Sequence, residues 1–352
     1  MQQFFGGSQI CFGLECLESM DLGRLLVVTD PYFYKDGTAQ SLARGAAEVS
    51  YYYNVSPDPS ARLAAEGTAA VKEFRPDTIL ALGGGSAMDC AKAMAYFSGT
   101  NAQLIAVPTT SGSGSEVTDF AILTHDGVKH PLVDPKLRPA VAVLDANLVA
   151  KLPQSLIADG GFDVLTHALE AYVAKNATPF SDALAVSAFR DTLNGLLASY
   201  RGDLEARGRV HYAATMAGQA FTNAGLGLCH ALAHSLGGAF HVPHGRLNAI
   251  LLPAVLAHSP SQKYGEMARL AGLEGRAEAV AQRNLRNSLV RLRRELALPS
   301  TLAEAGVSPA EVRKNAENII KAAISDPCCD TNPTPVTADM ARMVLAEVTG
   351  HG

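Results

Sequence analysis

The sequence predicts an open, mostly parallel α/β sheet followed by an all-α half. Three observations predict it. Short apolar runs alternate with helical patterns up to about residue 150. Turns rich in glycine or proline close those runs. Strand signals then stop, and 3.6-residue periodicity continues to the end.

The elements follow in chain order. Residues 24–29 (RLLVVT) form an apolar run ending at Asp30-Pro31, and residues 77–82 form another ending at Gly83-Gly84-Gly85. Residues 104–107 end at Pro108, and 140–144 make a fourth run. Continuous apolar runs imply strands covered on both faces, as in a parallel sheet. Helical patterns at 61–74 and 87–97 supply the crossovers. After about Lys151, helical periodicity covers 157–173, 182–200, 210–223, 231–240, 245–257, 276–296, 309–325 and 338–348. Ser308-Pro309-Ala310-Glu311 reads as a helix start, with an N-cap serine and Glu at the capping-box position. Arg283, Arg286, Arg291, Arg293 and Arg294 read as a solvated helix face rather than a nucleic-acid surface. The expected halves are 1–155 and 156–352.

Composition excludes several classes. A chain of 352 residues, 48% hydrophobic and 18% charged, can bury a core without a disulfide or metal staple. Its net charge of −5, from 29 basic and 34 acidic residues, argues against nucleic acid or an anionic membrane as partner. Cys11, Cys16, Cys90, Cys229, Cys328 and Cys329 form no CxxC pair, so a reducing, cytoplasmic setting is expected. Residues 1–13 lack a basic flank and a sustained apolar run, so no signal peptide is expected. The apolar stretch 249–257 is too short to span a bilayer and contains Pro253.

Two turns point to a phosphate-bearing ligand. Gly83-Gly84-Gly85-Ser86 follows a strand and opens a helix that carries Asp89 and Lys92 in its first two turns. Glycine lets the backbone approach a ligand, and the helix N-terminus presents unpaired N–H groups and a positive dipole end. Residues 108–115 follow another strand and hold five hydroxyl side chains and two glycines. Such a segment can donate to a pyrophosphate from backbone and side chains. Both turns lie where open α/β sheets bind ligands. Asp30, closing the first strand, can bond a ribose diol and would repel a 2′-phosphate, which favours NAD over NADP.

The histidines cluster in the second half. Asp163 and His167 are spaced i, i+4 on a predicted helix, and His230 and His234 repeat that spacing. His244 follows beside Pro243 and Gly245. A carboxylate with three imidazoles suits a divalent transition metal with an open position. Spacing alone leaves His167, His230, His234, His241 and His244 competing. Metal plus dinucleotide points to redox chemistry on a carbon–oxygen bond, expected in a cleft between the halves.

Four blocks carry a resemblance. They are GGGSAMDCAKA from Gly83, PTTSGSGSEVT from Pro108, DVLTHALEAY from Asp163 and GLGLCHALAHSLGGAFHVPHGRLNAILLP from Gly225. In this order they resemble the iron-dependent (type III) alcohol dehydrogenases. Ser56-Pro57-Asp58-Pro59 and the run from Phe240 to Gly245 resemble the 1-propanol dehydrogenase branch, whose members often serve bacterial microcompartments. The resemblance implies NAD and Fe2+ as cofactors, and the ligand set also accepts Zn2+. It implies Asp163, His167, His230 and His244 as metal ligands and His234 beside the nicotinamide, as a proton relay. By the same transfer Gly84, Gly85, Ser86, Thr109, Thr110, Ser113 and Thr118 contact the cofactor, and Lys129 lies near its ribose. Asp58 stands where the family often has Asn near that ribose. Asp30 and Asp89 complete the expected cofactor set. Phe120, Phe221 and Cys328 would border an apolar substrate pocket.

The implied reaction interconverts a short primary alcohol, such as ethanol or 1-propanol, and its aldehyde. A homodimer or larger homo-oligomer is the family expectation. Thr334 stands where many members have Arg, a departure that touches local packing or polarity rather than the metal. Rival readings are a zinc-dependent glycerol-type dehydrogenase, a dehydroquinate-synthase-like lyase and a non-catalytic nucleotide binder. The lyase needs basic residues for a phosphorylated substrate, and the blocks offer chiefly Lys129 and Arg246. Cys229 and Cys328 are expected to be oxidation-sensitive, one beside a ligand and one near the substrate.

Overall fold

The computed structural model describes residues 3–125 and 128–350. The outer limits of the expected halves, Met1 and Gly352, lie outside the described residues. The chain divides into two compact units, one of Gly6–Leu152 and one from Pro153 onward that takes in the described residues before Gly6.

The first unit is α/β. Its strands are β1 (Gln9–Phe12), β2 (Arg24–Thr29), β3 (Glu48–Tyr52), β4 (Thr78–Gly83), β5 (Gln103–Pro108), β6 (Phe120–His125), β7 (Val128–Val133) and β8 (Val141–Leu144). Six of them form a parallel sheet in the order β1-β8-β5-β4-β2-β3. The remaining pair, β6 and β7, is an antiparallel hairpin. Helices α1 (Pro31–Lys35), α2 (Thr38–Leu42), α3 (Ala61–Phe74) and α4 (Gly85–Ser98) complete the unit.

Both sheet faces are buried. Leu25, Val27, Leu80, Leu82, Ile105 and Val107 pack with Leu17, Leu22, Ala39 and Leu42 on one side. Leu26, Val28, Ile79, Ala81 and Ala106 pack with Val71, Met88, Cys90 and Met94 of α3 and α4 on the other. That alternation explains why the strands read as unbroken apolar runs. Four strands were not read from the sequence. β1 and β3 contain no fully buried residue, and the hairpin mixes polar and apolar residues.

The register brings the predicted turns together. Thr29 pairs with Leu82, Leu82 with Val107, and Gly83 with Pro108. Asp30, Gly84 and Thr109 therefore leave the sheet side by side at the carboxyl ends of β2, β4 and β5. The chain passes from β2 to β3 on one side and then to β4 on the other, so these ends lie at a topological switch point.

The second unit is helical. It comprises α5 (Gln154–Val173), α6 (Pro179–Tyr200), α7 (Leu204–Ala224), α8 (Leu228–Phe240), α9 (His244–His258), α10 (Lys263–Leu270), α11 (Glu278–Glu295), α12 (Pro309–Ile324) and α13 (Ala338–Thr349). The short α10 was not anticipated. Ser308 occupies the N-cap of α12 but its hydroxyl makes no capping bond; a full capping box forms instead at α6, between Thr178 and Ser181. Among the described residues no helix is long and apolar enough to cross a membrane.

The arginine face of α11 is not wholly solvated. Pro253 lies inside α9 and cannot donate to the Ala249 carbonyl. Arg293 of α11 donates to that carbonyl at 3.2 Å, and Arg286 donates to the Pro253 carbonyl at 2.9 Å. The two arginines thus dock α11 on the interrupted stretch of α9.

Candidate active site

The carboxyl edge of the sheet is built by close approach of two loops. Gly83 has φ 151°, a conformation that favours glycine. Gly84 caps α4, and a Cβ there would stand 3.0 Å from Thr110 Oγ1. A Cβ at Gly85 would stand 3.1 Å from Ser113 Oγ. The structure therefore sets the half-buried Thr110 and Ser113 against the start of α4, and Thr109 N–H donates to the Gly83 carbonyl at 2.9 Å. Asp30 caps α1, accepting from Tyr32 and Phe33 N–H through Oδ1. Its Oδ2 faces the Gly83 turn, 3.9 Å from where a Cβ would lie.

Two of the expected contact residues, Thr118 and Asp89, bond within the protein. Thr118 is only 2% exposed and accepts from Lys92 Nζ at 3.0 Å. The Asp89 carboxylate accepts from Ser115 Oγ at 2.7 Å and Ile122 N–H at 3.1 Å. Lys92, wholly buried, also donates to Ser115 Oγ and the Phe120 carbonyl, both at 2.8 Å. Burial pulls the amine down to about 8, against the pull of Asp89, Glu116 and Asp119. This network underpins the hydroxyl-rich loop and fixes Phe120 by its backbone. Lys129 pairs with Asp58 at 2.7 Å, and Asp58 N–H donates to Ser86 Oγ at 3.3 Å. Asp58 has φ 52°, a conformation that asparagine adopts readily.

In the helical unit, α5, α8 and α9 bring four predicted ligands together. Asp163 Oδ1 lies 3.8 Å from His167 Nδ1, 3.8 Å from His230 Nε2 and 3.6 Å from His244 Nε2. These separations are too long for hydrogen bonds. Asp163, His167 and His230 hold ligand atoms within 4.8 Å of one another, a spacing that suits donors to one ion, and His244 joins the group through Asp163. Burial works against the Asp163 charge, but the three imidazoles outweigh it and hold the carboxyl below the usual carboxylate range. Enclosure and the neighbouring imidazoles of His234, His230 and His167 keep His244 neutral well below its usual range, despite Asp163. Neutral imidazole is the form a metal ligand needs. The residues present fit a divalent ion.

Three supporting residues went unseen in the sequence. Glu170, two turns beyond Asp163 on α5, pairs with His230 Nδ1 at 2.6 Å. It also accepts from Gly227 and Cys229 N–H, at 3.0 and 2.7 Å. Asn332 accepts from Leu228 N–H at 3.1 Å. Glu170 and Asn332 thus satisfy N–H groups that the Gly227 cap of α8 cannot. Asn248, one turn after His244, donates to Asp163 Oδ1 at 2.8 Å. The i, i+7 offset of Glu170 and the i, i+4 offset of Asn248 were the available signals.

His234 lies one turn after His230, its ring stacked on His244 with centroids 5.2 Å apart. Its Nδ1 pairs with Asp326 Oδ2 at 2.8 Å. Cys328 follows Asp326 in a tight turn, and Phe221 stacks on the His167 ring at 4.4 Å. Phe221 and Cys328 therefore gather at the metal group, whereas Phe120 belongs to the α/β unit. His241, with φ 56°, ends α8. Burial and nearby carboxylates push the thiols of Cys229 and Cys328 well above the usual range, which works against the thiolate.

Glycine- and hydroxyl-rich turns in one unit and a carboxylate–imidazole group in the other suit an oxidoreductase that works on a carbon–oxygen bond. Comparison narrows that class. The model of iron-containing alcohol dehydrogenases matches residues 5–146, and the C-terminal model of the same family matches 157–348. An NADPH-dependent butanol dehydrogenase of Clostridium saccharobutylicum is 37% identical, covering 86% of this chain and 84% of that one. A 1-propanol dehydrogenase of Salmonella typhimurium is 38% identical, covering 85% of each. A bifunctional aldehyde-alcohol dehydrogenase of Escherichia coli K12 is 37% identical over 92% of this chain, which spans only 42% of that protein's length. An iron-containing alcohol dehydrogenase structure from Thermococcus thioreducens superposes with a TM-score of 0.91 at 33% identity, covering 99% of this chain and 100% of the other. The chain belongs to the iron-containing alcohol dehydrogenase family.

Proposed function

We propose that the protein interconverts a short primary alcohol and its aldehyde, using NAD and Fe2+. The observation that carries this reading is that His167, His230 and His244 each bring a ring nitrogen within 3.6–3.8 Å of Asp163 Oδ1. In this proposal those four residues hold the iron. When bound, the metal would act as a Lewis acid on the substrate oxygen, and the nicotinamide would carry the hydride.

The chain's own residues supply binding, orientation and proton handling. Glu170 would fix the His230 ring so that Nε2 faces the ion. Asn248 would hold Asp163 Oδ1 in place. Asp326 would hold the His234 ring through Nδ1, leaving Nε2 to accept or return the substrate proton. Phe221, packed on His167, gives the apolar surface that favours a short alkyl chain over a polyol. Gly84, Gly85, Ser86, Thr109, Thr110 and Ser113 would cradle the pyrophosphate, while Asp89 and Thr118 support the loop. Asp58 and Lys129 would lie near the ribose. Asp30 would bond the ribose diol through Oδ2 and disfavour a 2′-phosphate.

Parallel assays of NADH and NADPH oxidation with propanal and acetaldehyde, and of NAD reduction with glycerol, test the reading. Faster turnover of both aldehydes with NADH than with NADPH is expected, with little on glycerol. Equal or greater rates on glycerol, or a preference for NADPH, would contradict it.

A further inference from the structure

We propose that His234, Asp326 and Cys328 form a second cation site, selective for a thiophilic divalent ion such as Zn2+ or Cd2+. One potential ligand atom from each of the three lies within 4.8 Å of the others. The local backbone builds this grouping. Asp326 caps the tight turn Pro327–Thr331, with Oδ1 accepting from Cys328 N–H at 2.8 Å. That turn brings the thiol back toward the carboxylate. The other oxygen, Oδ2, pairs with His234 Nδ1 at 2.8 Å. Nitrogen, oxygen and sulfur are thus presented together, and three protein ligands with a water complete a tetrahedron.

Donor softness separates this site from the first. The Asp163 group offers one carboxylate and three imidazoles, a set suited to iron. The second adds a sulfur, which ranks zinc and cadmium above iron. The sites are neighbours but share no ligand, because His234 and His230 lie one turn apart on α8 and their rings diverge by 63°. On binding through Nδ1, the Cys328 thiol proton leaves to solvent and the His234 Nδ1 proton moves to Nε2. The nitrogen that the proposed function uses for the substrate proton is then occupied, and the ring is held by the ion. The ion would therefore inhibit, and that part of the inference rests on the role proposed for His234.

Anaerobic titration of the iron-loaded protein with Cd2+ tests the site, read by thiolate-to-metal charge-transfer absorption and metal analysis. One Cd2+ per chain should saturate the band while iron is retained. Cys328→Ser should abolish the band, and Asp326→Asn should weaken Cd2+ binding about tenfold or more. His230→Ala should lose iron yet keep the band, so failure of the iron assignment and failure of this site give different results. No band, a band that survives in Cys328→Ser, or Cd2+ uptake matched by iron loss would overturn the site. The NADH-dependent rate should fall in step with the band. A band with no loss of rate would keep the site and overturn the relay role of His234.

Discussion

His230 stands between two carboxylates, Asp163 near its Nε2 and Glu170 at its Nδ1. Burial opposes a charge on the ring, but these partners outweigh it and push the group up to about 9. The pairing with Glu170 is the kind that orients a metal-bound histidine. Glu170→Gln keeps an acceptor oxygen for only one of the Gly227 and Cys229 N–H groups and loses the charge. It should lower iron affinity about 10- to 100-fold and cost about 1–3 kcal/mol of stability through the N–H left without an acceptor. Equal affinity in a competitive chelator titration would show that Glu170 only caps the helix. Asp326 gives a pH prediction. Burial works against its charge, but the bonds from His234 and Cys328 N–H hold the carboxyl at about 2, against 3.8 unperturbed. A lowered carboxyl stabilises the fold fully above about pH 4, and that gain is lost as pH falls through about 2. The stability gap between the protein and Asp326→Asn should be on the order of 2 kcal/mol at pH 6 and about half of that at pH 3. Denaturant unfolding at the two pH values checks this, and a gap that does not shrink would exclude the pair as its source. Ligand residues were legible because they recur at helical spacing. Glu170 and Asp326 were not, because their partners lie 60 and 92 residues away.

At the scale of elements, α8 and α9 are placed by contacts that a linear pattern hides. Gly245 follows His244 at the start of α9, where a Cβ would stand 2.0 Å from the Asp159 carbonyl oxygen of α5. The helices can approach so closely only because the residue is glycine. Gly245→Ala should push α9 from α5, cost about 1–3 kcal/mol of stability and weaken iron binding by displacing His244. Thermal unfolding with metal analysis checks both, and unaltered iron content in a destabilised variant would separate packing from the site. The sheet's central strands were readable because both faces are buried. The edge strands β1 and β3 were not, since half-exposed strands lose the continuous apolar signal. The arginines of α11 read as solvent-facing because charge on a helix usually is. Their docking on the carbonyls around Pro253 is a tertiary use that periodicity does not encode.

At the scale of the molecule, the change of rhythm near residue 150 anticipated two kinds of structure. One unit carries glycine- and hydroxyl-rich turns at the carboxyl ends of parallel strands, and the other carries the carboxylate–imidazole group. The motif spacing was enough to nominate both sets of residues. It could not show that Asp89, Lys92 and Thr118 lie beneath the loop, because burial depends on how the hairpin packs on α4. In the proposed function the four-ligand group is both the iron site and the seat of the reaction. Its most direct test loads the protein and His230→Ala with Fe2+ anaerobically, then measures bound iron and NADH-dependent propanal reduction in each. The account predicts one iron per chain with turnover in the unaltered protein, and loss of both in the variant. Full iron content with an unchanged rate in His230→Ala would contradict it.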